Sequence, residues 1–113
     1  MTKYLISFPS SAMVLGDEDL QTVSDAAHAV VEEARAAGVW VFGGGIDESV
    51  PPVLVGRDGT VTEATYPQTK HLEGGYSILE LPSREAAVEW AAKIATACRC
   101  AQEVREFQHD PAM

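Results

Sequence analysis

The four residues Val39-Trp40-Val41-Phe42 constrain this chain more than any others. Successive side chains of an extended strand point to opposite faces. Bulky apolar groups at all four positions therefore define a strand that has to be covered on both sides. In this reading Trp40 and Phe42 share one face, and Val39 and Val41 share the other. A long amphipathic segment comes just before it. Leu20, Val23, Ala27, Val30, Val31, Ala34 and Ala37 recur every three or four residues and form one apolar stripe. Gln21, Asp25, His28, Glu32 and Arg35 fall away from that stripe. Asp17, Glu18 and Asp19 stand where a helix dipole favours negative charge, and Gly38 supplies a stop. The spacing predicts a helix over Leu20–Ala37.

The remaining elements follow from alternation and turn residues. Lys3–Phe8 reads as a strand with Tyr4, Ile6 and Phe8 on one face and Lys3, Leu5 and Ser7 on the other. The strand Val39–Phe42 ends at Gly43-Gly44-Gly45, where bare backbone allows a close approach. Val53–Val55 and Thr60–Glu63 flank Gly56-Arg57-Asp58-Gly59, an Asp-Gly hairpin signal. Tyr66–Gly75 has little apolar periodicity and reads as a loop. Tyr76–Leu81 is the next strand, with Ser77, Leu79 and Leu81 together on one face. Ser83 after Pro82 is an N-cap for a second helix that buries Ala87, Trp90, Ala91, Ile94 and Cys98. Glu89 and Lys93 form an outward pair on it. Cys100–Phe107 is the last strand, and the tail His109–Met113 frays.

The order strand, helix, strand, hairpin, strand, helix, strand implies two right-handed crossovers. Both helices then lie on the same face of one antiparallel sheet, an α+β sandwich of the ferredoxin-like kind. The other face has no helix to cover it. Large apolar side chains left there would form a patch that soluble monomers rarely carry, and at ~25 cal/mol per Å2 a few of them drive association by several kcal/mol. The expectation is a homodimer packed through the open sheet face. The alternative is that the Pro9–Asp19 or Tyr66–Gly75 loop folds over it.

Composition narrows the function classes. A chain of 113 residues forms a single domain over 1–113 that can hold a core without staples. Eight basic residues against seventeen acidic ones leave a net charge of −9, which repels a phosphate backbone and argues against nucleic acid. The N-terminal apolar run is interrupted by Pro9 and is too short for a signal peptide. No run reaches the ~20 apolar residues of a membrane span. The expected location is cytoplasmic. Cys98 and Cys100, separated by Arg99, are too few for structural zinc and are read as packing residues at a helix-to-strand junction. The three histidines have no metal-ligand spacing. Gly43–Gly45 lacks the dinucleotide fingerprint, and no Ser or Cys sits in a nucleophile motif. No cofactor and no metal are expected.

The run Glu63-Ala64-Thr65-Tyr66-Pro67-Gln68-Thr69-Lys70-His71-Leu72-Glu73-Gly74-Gly75-Tyr76 resembles the signature of the YCII-related domain family, in its DGPF branch. That branch shows Asp-Gly-Pro-Phe, a spacer, Thr-Lys, and Gly-Gly-aromatic entering a strand. Thr69-Lys70 and Gly74-Gly75-Tyr76 match directly. Glu63-Ala64-Thr65-Tyr66 keeps the acid and the aromatic in kind but loses the Gly-Pro turn. Ala36-Ala37-Gly38-Val39 leading to Gly43-Gly44-Gly45 is similar to the family's helix end and glycine turn, and Glu103-Val104-Arg105 to its last strand. The resemblance implies a dimeric α+β barrel. It also implies a His–Asp acid–base pair in some members, activity on chlorinated hydroxyquinones in a few, and a sensing role for others found near alternative sigma factors.

A carboxylate that orients an imidazole raises its basicity and lets it move protons near neutral pH. The nearest counterparts of the family's pair are His28 and Asp47. Projection of the helix alone makes His28 a solvated side chain beside Glu32. A second cluster joins Glu63, Tyr66, Lys70 and His71: a carboxylate, a phenol, an ammonium and an imidazole that together could line a polar pocket for an anionic or phenolic ligand. The plainer alternative leaves Lys70 and His71 solvating a loop while Tyr66 caps the core. Two functions stand side by side. One is a homodimer that binds a small polar or anionic molecule in an interface cleft with lyase- or isomerase-like acid–base chemistry. The other is a non-catalytic sensor or interaction module.

Overall fold

The computed structural model describes residues 1–113. Four strands form an antiparallel sheet: β1 (Thr2–Pro9), β2 (Trp40–Gly45), β5 (Gly74–Leu81) and β6 (Glu103–Glu106), in the order β2-β5-β1-β6. Helix α1 (Leu20–Ala36) joins β1 to β2, and α2 (Arg84–Cys98) joins β5 to β6. Each helix thus links two parallel strands with a third strand between them, which is the split arrangement of a ferredoxin-like α+β fold. β3 (Leu54–Val55) and β4 (Val61–Thr62) pair only with each other and form a separate hairpin.

Both helices lie on one face, where the core sits. Tyr4, Ile6, Leu79 and Leu81 from the sheet meet Ala34 from α1 and Ala87, Ala91, Ile94 and Cys98 from α2. The alternation read for β1 and β5 is the one observed. Small residues at the helix–helix contact let α1 and α2 approach closely. An ion pair from Lys93 to Glu33 spans them, and Arg99 reaches Asp19 at 3.3 Å. Lys93 therefore serves the interhelical contact and lies over the Trp90 ring, not beside Glu89 as helical spacing alone predicts. Ser83 caps α2, its hydroxyl accepting from the Ala86 amide at 3.1 Å. Gly38 ends α1 with φ +75°.

Two features of β2 depart from the sequence reading. The three glycines continue the strand and do not end it. A Cβ on Gly43 would lie 2.4 Å from the Trp40 ring, and one on Gly75 would lie 2.6 Å from the Phe8 ring. The close approach that the glycines permit is thus the chain's own: two aromatic rings occupy the space that side chains at Gly43 and Gly75 would take. The second departure is a bulge between Trp40 and Phe42. Trp40 pairs with Leu79 on the helix face, while Phe42 pairs with Ile78 on the opposite face. One extra residue inverts the alternation, so Trp40 and Phe42 do not share a face.

That opposite face carries Phe42, Ile78, Leu5 and Arg105 in one row and Gly44, Tyr76, Ser7 and Glu103 in the next. Phe42 is 64% exposed. Neither loop seals this face. Met13 of the Pro9–Asp19 segment packs on the core side, and the Tyr66–Gly75 segment brings only His71 and Leu72 over the margin near Tyr76. No helix is long and apolar enough to cross a membrane.

Candidate functional site

A concavity of about 700 Å3 lies between the helices and the sheet and opens at the β2 edge beside Val41 and Phe42. Its floor is the aromatic paving set up by the glycines: Phe8 over Gly75 and Trp40 over Gly43, with Ile6 and Ser77 beside them. Its roof is the middle of α1, where Ala27, Val30 and Val31 are only half-buried because space lies beneath them. Ile94, Ala97 and Cys98 of α2 close the back. A few polar groups punctuate an apolar lining, namely His28, Arg35, Ser77 and Gln102, which is the usual make-up of a small-molecule site. Burial pushes the Cys98 thiol up, with neighbouring Cys100 adding to the effect. A thiol so raised is not a nucleophile at neutral pH.

His28, Val31 and Arg35 follow one another at i, i+3 and i+7 and form the shoulder of the apolar stripe that overhangs this cavity. Both polar residues are exposed, as helical projection sets them, and they stand at the cavity rim. Arg35 is held at its outer end by Glu32 at 2.6 Å. The aromatic floor is what the sequence reading missed. The sequence carries a signal for it in Gly75, which pairs with Phe8 across β1 and β5, and in Gly43, three residues along β2 from Trp40.

His28 and Asp47 are not brought together within the chain. Asp47 lies beyond the end of β2, lines a different cavity, and binds the Ser49 hydroxyl at 2.6 Å and amide at 3.0 Å. Those hydrogen bonds, the hydroxyl's first, hold the Asp47 carboxyl below the usual carboxylate range. An acid tied down in this way is a weak proton acceptor.

Glu63, Tyr66, Lys70 and His71 are dispersed as well. Lys70 lines a second cavity of about 650 Å3 with Thr65, Thr69, Asp47, Glu48 and Glu73, and it is the sole cation there. His71 points the other way, onto the open sheet face beside Ser7, Tyr76 and Glu103, with Glu73 at 3.6 Å from its Nδ1. Tyr66 is 66% exposed and Glu63 is exposed, and neither lines a principal cavity. The short 3-10 turn Pro67–Thr69 separates these neighbours in sequence. No group of three His, Cys, Asp or Glu side chains is placed to hold a metal ion.

Tyr76 belongs to the open face, where its hydroxyl donates to the Leu72 carbonyl. Desolvation, followed by the charge of Glu73, raises its pKa above the usual phenol value. The phenol stays protonated and serves as a fixed donor that ties the His71–Leu72 segment to the sheet.

Among solved structures the chain is similar to 5-chloro-2-hydroxyhydroquinone dehydrochlorinase (TftG) from Burkholderia phenoliruptrix AC1100, determined in complex with 2,5-dihydroxybenzoquinone. The identity is 20%, 97% of each chain is covered, and the TM-score is 0.49. No curated protein matches the chain. The model of the YCII-related domain matches residues 2–108, nearly the whole length, and the chain accordingly belongs to the YCII-related domain family.

Proposed function

We propose that this protein is a homodimer, paired through the open sheet faces, that binds a small molecule in the cavity beneath α1. The observation that carries the binding site is the aromatic floor. Phe8 and Trp40 lie against glycine backbone and give the cavity an aromatic side opposite Ala27, Val30 and Val31 of α1. A flat, largely apolar molecule with one acidic or hydroxylated end fits this lining, its polar end directed to His28 and Arg35 at the rim. Binding without preassembled catalysis is the reading favoured by the separation of His28 from Asp47.

A second reading places the ligand beside Lys70, where a lone ammonium and the hydroxyl-bearing Thr65 and Thr69 face a cavity of similar size. Its three carboxylates, Asp47, Glu48 and Glu73, disfavour an anion there, so the α1 cavity takes precedence.

A thermal-shift panel of small aromatic and aliphatic acids distinguishes the two sites. Compounds that raise the melting temperature of the wild type are expected to lose their effect in Val31→Trp, which fills the α1 cavity, and to keep it in Lys70→Ala. An undiminished shift in Val31→Trp refutes the α1 site, and a loss confined to Lys70→Ala installs the second reading.

A further inference from the structure

The segment 46–72 leaves the sheet at the end of β2, turns through the β3–β4 hairpin and returns to β5. It is about a quarter of the chain, yet it holds seven of the fifteen large hydrophobic side chains that stand exposed: Ile46, Val50, Val53, Val55, Val61, Tyr66 and Leu72. None of the helices or sheet strands packs broadly against the hairpin. The molecule is consequently flat and wide, 43 × 43 × 20 Å. Its radius of gyration is 15.8 Å, against about 13 Å for a compact chain of this length. An isolated two-stranded hairpin is marginally stable in water. This one is well formed all the same: Asp58 accepts from the Thr60 amide at 2.9 Å, Gly59 takes φ +87°, and the Gly56 amide reaches the Thr60 carbonyl at 2.8 Å. A well-formed hairpin with apolar valines on its surface is suited to a surface that its own body does not supply.

We infer that this arm is a dimer arm that packs against a second copy of the chain and completes the interface begun by the open sheet faces, an inference that rests on the homodimer proposed above. Two observations select a second copy as the occupant. The first is area. At 51–66% exposure, the seven side chains add apolar area on the order of several hundred Å2 to the open face, towards the ~800 Å2 per partner that a stable interface buries. The second is continuity. Leu72 at the arm's return is fastened to the open face by the Tyr76 hydroxyl and lines the same hollow as Leu5 and Ser7. The apolar row Phe42, Ile78 and Leu5 therefore runs on through Leu72 towards the arm. The second copy also closes the cavity framed by the arm's own Val50, Val53 and Leu72 beside Lys70.

The test compares dimer dissociation constants of the wild type, of the triple variant Val53→Ser/Val55→Ser/Val61→Ser, and of a chain with residues 51–64 replaced by a short Gly-Ser linker. Circular dichroism confirms that each is folded. The triple variant removes only exposed side chains. It is expected to dimerise at least ~100-fold more weakly, and the linker variant at least as weakly as that. Amide exchange at Val55 and Val61 in the wild type is expected to speed up on dilution below the dissociation constant. A dimer equally tight in all three chains, with exchange in the hairpin indifferent to dilution, overturns the arm and leaves the sheet-to-sheet dimer standing. A wild type that is monomeric at every concentration overturns both.

Discussion

The helix-covered and open faces of the sheet are built from the same strands and differ in what completes them. Ile6 and Leu79 on the covered face are 1% and 0% exposed, while the adjacent Leu5 and Ile78 on the open face remain half-buried and Phe42 beside them is 64% exposed. Both faces are apolar at their centres, and only one finds its cover within the chain. In the proposed homodimer such strand sequences record the finished assembly, because a strand buried on both sides has to be apolar on both sides wherever its second cover comes from. The open face is not uniformly greasy. Lys3 and Glu80 pair across it at 2.9 Å, and Glu103 and Arg105 pair along β6 at 3.3 Å, so its polar margins surround an apolar row as at protein interfaces.

The contrast between faces can be broken by mutation, and the covered face gives the largest effect. Leu79→Ala is expected to cost about 2–5 kcal/mol in denaturant unfolding, because the surrounding core closes only partly over the cavity. Phe42→Asp on the open face is expected to leave the fold intact by circular dichroism while weakening self-association by about 100-fold, measured by sedimentation. A large loss of folding stability from Phe42→Asp, with association unchanged, would reverse the roles assigned to the two faces.

Gly43→Ala sharpens the comparison within the covered face. Its Cβ meets the Trp40 ring at 2.4 Å, so the ring has to lift from the sheet. A cost of about 1–3 kcal/mol is expected, together with a shift in tryptophan emission. The same change at Gly44, where the nearest atom is 3.8 Å away, is expected to be much milder.

The smallest effect is acid sensitivity. The carboxyls of Asp58 and Glu80 lie below their ordinary range, the first through the Thr60 amide and the second through the Lys3 ammonium. Since these groups bind protons less readily folded than unfolded, their contribution is complete above the ordinary carboxylate values near ~4 and is lost as pH falls through the lowered ones. NMR titration should show both carboxyls titrating below model peptides, and Lys3→Ala should restore Glu80 alone.

Much of the architecture was legible because burial writes period 2 or period 3.6 into the chain. Alternation groups Tyr4 with Ile6 and Leu79 with Leu81 on single faces, and those faces form the core, while α1 differs from its predicted span by a single residue. The bulge at Val41 was not legible, since nothing in Val39-Trp40-Val41-Phe42 distinguishes an extra residue from regular pleating. The glycines misled for a related reason. They are strand breakers on average, and here they are the strand positions on which Trp40 and Phe8 lie.

The candidate site was less legible than the fold. Lys70 and His71 are adjacent in sequence, yet they face different hollows because both lie in the turn that follows the 3-10 segment, where successive side chains diverge. Proximity along a loop says little about proximity in space, whereas regular elements carry a known period. His28 illustrates the second case. Helical period sets it on the polar side, one turn from Val31, and that position becomes a cavity rim only once the sheet below is paved with rings.

Sedimentation equilibrium of the wild-type chain at micromolar concentration tests the central claim most directly. The account predicts a mass twice the 12.1 kDa of the single chain. A mass equal to one chain, unchanged on raising the concentration, would mean that the apolar row Phe42, Ile78 and Leu5 is tolerated in water and that the open face needs no partner.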